Sequence, residues 1–168
     1  MNHYAIIKDF MSSEDSTTLI LRINELISKE GTQAYFGRTA IPNSKDEVLR
    51  TIATKYAKKI LETFPDSMYT FVSGYVFQHY SSKGFWSKHT DSEEYEEFSA
   101  FIYLNDEFKG GELVVETPYD ETVVYKPVKN SLVYLPSWFP HSIARVPDGA
   151  RYVLVINFTS EYRKPQQR

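Results

Sequence analysis

Cysteine is absent from the 168 residues of this chain. Its absence excludes disulfide bonds, thiolate metal sites and cysteine nucleophiles. Long apolar runs are also missing: the longest, such as the one at 152–156, have about five residues, whereas a membrane span needs roughly 20. The first residues lack the apolar segment of a secretory signal. We therefore expect no membrane segment and a cytoplasmic location.

Neither sign of charge is in large excess. The chain has 19 basic and 22 acidic residues and a net charge of −3, which gives no overall attraction to nucleic acid, so we do not expect a nucleic-acid partner. Apolar residues make up 42% of the chain and charged residues 24%, which excludes a disordered or collagen-like chain. Aromatic residues are abundant at 15% and suit β structure.

Two amphipathic helices are predicted in the first part of the chain. Ser12 or Ser13 can cap the first helix, because acidic residues follow in its first turn and apolar residues then recur at helical spacing. The second helix is predicted to begin near Ser44, where Glu47 completes a capping box. The polar link at 31–43 is predicted to be a loop.

Short β-branched and aromatic runs replace this pattern from residue 68 onward, and turn residues separate them. Such regular short runs indicate an antiparallel sandwich or barrel. We therefore predict a mostly β domain over 1–168, in which a helical support (1–67) packs on one sheet of a jelly-roll core (68–160). The predicted strands of the core are 68–80, 85–89, 98–104, 112–116, 122–125, 131–135, 142–146 and 151–158.

Histidine is rare, and two of the four histidines belong to a pattern with metal-binding potential. His89 and Asp91 are two residues apart, so in extended chain their side chains point to the same side. His141 lies at the start of a later predicted strand. Two imidazoles and one carboxylate on a β frame match the set that binds non-haem Fe(II) on one face. The alternative is a polar surface turn.

Arg151 follows His141 by ten residues, and a turn sequence lies between them at 146–150. We predict a hairpin in which Arg145 pairs with Arg151, so that His141 and Arg151 face the same side. A guanidinium that points into a cleft suits a carboxylate ligand. The alternative is an exposed arginine at the edge of a hairpin.

A family resemblance rests on several of these motifs in order. It is carried by His89-Thr90-Asp91, Phe101-Ile102-Tyr103-Leu104-Asn105-Asp106, Gly110-Gly111-Glu112-Leu113, His141 and Arg151. The sequence resembles the Fe(II)/2-oxoglutarate-dependent dioxygenases and is most similar to their prolyl 4-hydroxylase branch, from about residue 69 to residue 158. The resemblance implies a double-stranded β-helix, which agrees with the strand pattern.

The resemblance also implies the roles of four residues. His89, Asp91 and His141 would be catalytic iron ligands, and Arg151 would pair with the distal carboxylate of 2-oxoglutarate. The cofactors would be Fe(II), 2-oxoglutarate and O₂, with ascorbate as a possible reductant.

Two tyrosines are further candidates for the 2-oxoglutarate pocket. Tyr103 matches a family tyrosine that hydrogen-bonds the same carboxylate. Tyr80 matches another tyrosine that lines the pocket, although the neighbouring His79 is a rival for that place. Either tyrosine could instead be a core aromatic whose hydroxyl is satisfied.

The implied function is hydroxylation of a prolyl residue in a peptide or protein substrate, with release of succinate and CO₂. One alternative is an oxygenase that acts on a small metabolite or on a nucleic-acid base. The nucleic-acid branch usually has a second arginine six residues after the first, where this chain has Asn157. Another alternative is a non-catalytic β-barrel binding module. The sequence leaves the oligomeric state open.

Several segments could contact the substrate. The acidic run at 91–97 is either a solvated loop or a lip that attracts a basic peptide. The link at 31–43 is either a connector or a lid. Trp86 and Trp138 either wall the substrate channel or pack in the core.

Overall fold

The computed structural model describes residues 4–30, 36–65, 67–81, 83–92 and 97–160. No helix in these ranges is both long and apolar enough to cross a membrane. This part of the chain folds into two helices and ten strands: β1 (Ala5–Ile7), α1 (Ser13–Glu30), β2 (Arg38–Pro42), α2 (Glu47–Thr63), β3 (Phe71–Tyr80), β4 (Trp86–His89), β5 (Glu97–Tyr103), β6 (Leu113–Glu116), β7 (Thr122–Tyr125), β8 (Leu132–Pro136), β9 (His141–Ile143) and β10 (Arg151–Thr159).

Helix α1 begins as its sequence predicts, whereas α2 does not. The backbone N–H of Asp15 donates to Ser12 Oγ at 3.1 Å, so Ser12 caps α1. In α2 the cap is Asp46, whose side chain accepts from the N–H of Leu49. The predicted capping box that starts at Ser44 is therefore wrong: Asp46 directly precedes the first helical residue, and the hydroxyl of Ser44 accepts from the N–H of Asp46 instead of from the helix.

The strands form two sheets, and all pairings between described strands are antiparallel. The larger sheet has the order β1-β8-β5-β10-β3-β2, and the smaller sheet has the order β4-β9-β6-β7. Strands β3 to β10 correspond to the eight predicted segments. As in a double-stranded β-helix, β3, β5, β8 and β10 lie in the larger sheet and β4, β6, β7 and β9 in the smaller one. The predicted jelly-roll class is confirmed.

Alternation along the larger sheet separates two apolar cores. On one face, Leu154 and Ile156 pack with the buried faces of both helices. On the other face, Val153 and Val155 pack against the smaller sheet. Since side chains alternate across a strand, β10 contributes to both cores. The helices therefore cover the outer face of the larger sheet, as predicted, and leave its inner face for the site.

The link predicted to be a loop contains a strand. Strand β2 pairs with β3, with Arg38 opposite Tyr80 and Pro42 opposite Val76, so the loop prediction is wrong for this part; residues 31–35 lie outside the described ranges. The short strand is easily missed because it lies at the sheet edge, where burial on one side only leaves a weak apolar pattern. The division of the domain at residue 67 stays a prediction, and the part before it contributes β1 and β2.

The predicted hairpin between the strands of His141 and Arg151 is also wrong. Strand β9 pairs with β4 and β6, whereas β10 pairs with β3 and β5. The turn between them therefore carries the chain from one sheet to the other. His141 and Arg151 still face the same interior, but from opposite sheets.

Replacing the α2 cap tests how this helix is fixed. Asp46 also accepts a hydrogen bond from Arg22, with a 2.6 Å contact between Arg22 Nη2 and Asp46 Oδ2. We expect Asp46→Ala to lower the free energy of unfolding by about 1–2 kcal/mol, mainly through the lost cap. Glu47→Ala, the next residue and an exposed one, should change it by only a few tenths of a kcal/mol.

The same pair of variants gives a pH dependence. The hydrogen bond from Arg22 holds the pKa of Asp46 below its ordinary value. A carboxyl whose pKa is lower in the folded state stabilises the fold at neutral pH, and this contribution is lost as the pH falls through the folded-state pKa. Urea unfolding should therefore show a smaller difference between wild type and Asp46→Ala below about pH 4 than at pH 7. If wild type and Asp46→Ala differed equally in stability in acid and at neutral pH, the result would contradict the ion pair.

Candidate metal and 2-oxoglutarate site

Three predicted ligands meet at one end of the smaller sheet. His89 ends β4 and is paired directly with His141 of β9, and Asp91 follows two residues after His89. The Nε2 atoms of His89 and His141 lie 3.3 and 3.6 Å from Asp91 Oδ1. All three ligand atoms lie within 4.8 Å of one another. The antiparallel pairing thus brings together side chains that are 52 residues apart in sequence.

Backbone carbonyls orient both histidine rings. His89 Nδ1 lies 2.8 Å from the carbonyl oxygen of Ser87, and His141 Nδ1 lies 2.9 Å from that of Phe139. A protonated Nδ1 donates to each carbonyl, which leaves Nε2 unprotonated and directed at the common point. Such outer contacts fix the tautomer and the ring angle of metal-binding histidines.

Two buried serines hold the carboxylate. Ser99 Oγ donates to Asp91 Oδ2 at 2.7 Å and lies 2.8 Å from Ser137 Oγ. The backbone N–H of Asp91 donates to the carbonyl oxygen of Ser137 at 2.9 Å. Together these contacts occupy Oδ2 and turn Oδ1 toward the histidines. Neither serine was predicted from the sequence; the available signal was a serine within the apolar strand β5.

Hydrogen bonds within the cluster shift the pKa values of Asp91 and His89. Burial acts to raise the pKa of Asp91, but hydrogen bonds with His141 and His89 outweigh it and hold this pKa well below its ordinary value. Burial acts to lower the pKa of His89, and the hydrogen bond to Asp91 reverses this effect, so the pKa is raised. The carboxylate therefore stays ionised next to the two imidazoles, whose Nε2 atoms are directed at it and could bind a metal ion.

The donor set fits a divalent transition metal. Two imidazole nitrogens and one carboxylate oxygen on one face form the arrangement typical of non-haem Fe(II), with open positions on the other face. Bonds of about 2.1 Å at right angles place ligand atoms about 3.0 Å apart. The observed separations of 3.3 and 3.6 Å require only a small contraction. His89, Asp91 and His141 could therefore hold Fe(II).

Arg151 lies deep in the same interior and is fully buried. Its Nε donates to the carbonyl oxygen of Gly111 at 3.1 Å. Its guanidinium lies 4.8 and 5.1 Å from the ring centres of Tyr80 and Tyr103. Both terminal nitrogens of Arg151 and the hydroxyl of Tyr103 are buried and have no hydrogen-bond partner among the described residues.

These unpaired donors form a site for a carboxylate. The two terminal nitrogens of a guanidinium match the two oxygens of a carboxylate. Burial raises the pKa of Tyr103, so its hydroxyl keeps the proton that it would donate. Arg151 and Tyr103 could thus hold the distal carboxylate of 2-oxoglutarate, and Tyr80, whose ring faces the guanidinium, also lines the pocket of the triad.

The other two candidates for this pocket, Tyr80 and His79, have different positions. Tyr80 lines the pocket with its ring, but its hydroxyl donates to Gln78 Oε1 at 3.1 Å. His79 points to the opposite face of the sheet, where its ring stacks on Tyr152 with centres 4.7 Å apart. His79 therefore does not line the pocket with the triad.

Gly111 makes room for Arg151. Its φ of +68° favours glycine, and an added Cβ would lie 2.9 Å from Phe108 and 3.0 Å from Arg151 Cδ. A side chain here would displace the arginine whose Nε the Gly111 carbonyl holds. The glycine pair at 110–111 therefore has a physical reason in this fold.

The triad opens into a pocket of about 140 Å³. Trp86 lines this pocket, whereas Trp138 packs on the ring of Phe139 with centres 4.6 Å apart. Residues 93–96 of the acidic run lie outside the described ranges.

The pocket also contains Arg38 and Asn157, to which the sequence alone assigned no role in the site. Its full lining is Arg38, Val76, Gln78, Tyr80, Trp86, His89, Asp91, Phe101, His141, Ile143, Val155 and Asn157.

Comparison with known families agrees with this geometry. The family model described as the 2OG-Fe(II) oxygenase superfamily matches residues 75–159, which is half of the chain. The chain belongs to this superfamily. Membership implies Fe(II) and 2-oxoglutarate, the two groups that the cluster and the buried arginine fit.

Part of the sequence is similar to a curated protein. A PKHD-type hydroxylase of Rippkaea orientalis is 39% identical over 71 residues, which are 42% of this chain and 32% of the relative. The alignment thus spans about a third of the curated relative that the chain matches.

Two solved structures share the fold over nearly the whole chain. A Pseudomonas putida prolyl-4-hydroxylase has a TM-score of 0.77 at 16% identity, covering 95% of this chain and 93% of that one. A prolyl hydroxylase from Trichoplax adhaerens, in complex with a hypoxia inducible factor peptide fragment, has a TM-score of 0.80 at 17% identity, covering 96% and 86%. At these identities the likeness shows the fold.

Removing one serine hydroxyl tests how Asp91 is oriented. We expect Ser99→Ala to weaken Fe(II) binding about 10- to 100-fold, the usual effect of losing a contact to a metal ligand. Anaerobic titration with Fe(II) measures the dissociation constant. Ser142→Ala is the matched control, because Ser142 neighbours His141 on β9 but points to the other face. Equal affinities for wild type and Ser99→Ala would show that Ser99 does not orient the ligand.

A second variant tests the carboxylate site. Tyr103→Phe removes one donor and should weaken 2-oxoglutarate binding about 10- to 100-fold, the range for a hydrogen bond to a charged group. Stability without 2-oxoglutarate should not fall, since the hydroxyl has no partner.

Calorimetry under nitrogen with Fe(II) measures this affinity. Tyr125→Phe is the control: its ring lies 5.6 Å from that of Tyr103, and its hydroxyl hydrogen-bonds with Ser131 Oγ. The control should lose stability and keep affinity. The reverse pattern would contradict the assignment.

Proposed function

We propose that this protein is an Fe(II)- and 2-oxoglutarate-dependent dioxygenase that hydroxylates a prolyl residue in a peptide or protein. The observation that carries the oxygenase part is the pairing of the triad with a buried Arg151 whose terminal nitrogens have no partner among the described residues. The prolyl part is supported by the fold likeness to two prolyl hydroxylases, one of them with a peptide. Neither alternative function has a specific observation in its favour.

The reaction has a simple balance. When bound, Fe(II) and 2-oxoglutarate would supply the activation of O₂: one oxygen atom enters a C–H bond as a hydroxyl, and the other enters the new carboxylate of succinate as 2-oxoglutarate loses CO₂. The protein residues position the reactants. His89, Asp91 and His141 would occupy one face of the metal and leave the opposite face accessible.

The remaining residues would orient the cosubstrate and keep water out. Arg151 and Tyr103 would hold the distal carboxylate in a fixed direction, so the other end of the molecule meets the triad. Tyr80, Phe101 and Val155 line the pocket of the triad, and the ring of Tyr80 also faces the guanidinium of Arg151. Because Arg151 is fully buried, water would screen its pairing with a carboxylate only weakly.

The test is a direct assay of the purified chain. Protein, Fe(II), 2-oxoglutarate and ascorbate, included as the candidate reductant, are incubated in air with a panel of extended peptides that contain proline. We expect equal amounts of succinate and oxidised peptide, and a gain of one oxygen on proline by mass spectrometry. His141→Ala should produce neither, because it loses a metal ligand.

Two results would contradict parts of the proposal. Absence of succinate with every acceptor, in a protein that binds Fe(II), would contradict the oxygenase function. Succinate formation with a small metabolite but with no proline peptide would contradict only the prolyl part.

A further inference from the structure

A second, open groove continues from the metal pocket. It has a volume of about 420 Å³, three times that of the pocket with the triad. Arg38, Val76 and Asn157 line both spaces and so mark their junction. The groove extends from there along β2 and β3, past Ala40 and Gly74. A molecule that reaches the triad through this groove must pass the junction.

Two polar atoms at the junction have no partner. Arg38 Nε and Asn157 Oδ1 are buried and make no hydrogen bond among the described residues. A buried polar atom without a partner costs about 1–3 kcal/mol. One atom is a donor and the other an acceptor, so a ligand with one oxygen and one N–H satisfies both.

Arg38 is also held in place beside the triad. Its guanidinium lies 4.2 Å from the ring centre of Trp86, and the edge of that ring meets His89, with centres 6.0 Å apart. Stacking on an aromatic face restricts a guanidinium that is otherwise flexible. Asn157 lies between Gly74 of β3 and Ser99 of β5 in the sheet, and Gly74 places no side chain of its own beside it. The donor and the acceptor are therefore fixed on the route to the metal.

We propose that Arg38 and Asn157 bind the backbone of the acceptor peptide: Arg38 donates to a main-chain carbonyl oxygen, and Asn157 Oδ1 accepts from a main-chain N–H near the oxidised residue. The inference rests on the proposed oxygenase function but not on proline as the target. A peptide is favoured over a single amino acid because the groove continues well beyond the junction and gives the chain room on that side.

A free carboxylate could satisfy the same guanidinium, so the experiment needs two kinds of acceptor. The first is a fluorescein-labelled extended peptide with one internal proline, together with the same peptide with alanine in that place. The second is free proline. Binding of the peptides to the protein with Fe(II) and 2-oxoglutarate is measured under nitrogen by anisotropy, and binding of free proline by calorimetry.

The variants are Arg38→Gln and Asn157→Leu, which remove the donor and the acceptor. Each should weaken binding of the labelled peptides about 10- to 100-fold, whichever residue occupies the target place. The double variant should lose less than the product of the two single losses, since both residues hold one segment. The peptide affinities are compared at saturating Fe(II) and 2-oxoglutarate for every variant, so that a change in cosubstrate binding does not enter the comparison.

Arg145→Gln is the matched control. Arg145 also lies over an aromatic ring, 4.9 Å from the centre of Phe85, but it is exposed and does not line the groove. This variant should bind the peptides as wild type does.

The outcomes separate this inference from the prolyl proposal. Equal peptide affinity in wild type, Arg38→Gln and Asn157→Leu would overturn the inference, and so would failure of wild type to bind either peptide. Binding of free proline alone, lost in Arg38→Gln, would also overturn it and indicate a carboxylate site. If both peptides bind through the two residues but proline is not oxidised in air, the inference stands and the prolyl proposal fails.

Discussion

A fully buried guanidinium with two unpaired nitrogens determines how the rest of the site must be arranged. An uncompensated buried charge costs several kcal/mol, and among the described residues the faces of Tyr80 and Tyr103 and the carbonyl of Gly111 offset part of it. The sheet order makes this possible, because β10 lies between β3 and β5. Its two neighbours each contribute one tyrosine to the guanidinium. The fold therefore keeps a carboxylate site whose remaining stabilisation must come from a ligand.

The position of the triad relative to Arg151 depends on how the two sheets are stacked. His89 and His141 come from β4 and β9 of the smaller sheet, whereas Arg151 comes from the larger one. A ligand that reaches from Arg151 to the metal therefore bridges the two sheets. Because such a ligand binds only when the sheets are stacked, its binding energy adds to the stability of the fold. Asp91 is fixed in the same way, since its position depends on Ser99 of the larger sheet.

Local signals predicted much of this arrangement, and the errors have physical causes that local patterns do not reveal. Strands β3 to β10 and the helix start at Ser12 follow from short-range patterns, and the His89–Asp91 pair follows from the period of a strand. The predicted hairpin was wrong because packing between distant segments determines which strands pair, and a turn sequence carries no information about that packing. Strand β2 was not predicted because an edge strand that is buried on one side only has a weak apolar pattern. Ser99 and Arg38 gain their significance only from neighbours distant in sequence.

The unequal width of the sheets would make the proposed chemistry and the proposed acceptor recognition separable. Six strands face four, so part of the inner face of β2 and β3 lies open, and Ala40, Pro42 and Gly74 line a groove there. The triad and Arg151 lie under the overlap, where both sheets constrain every side chain. Substitutions under the overlap disturb a packed core, whereas those in the groove meet solvent and are easier to accommodate. Acceptor choice can therefore change at β2 while the metal and carboxylate sites remain the same.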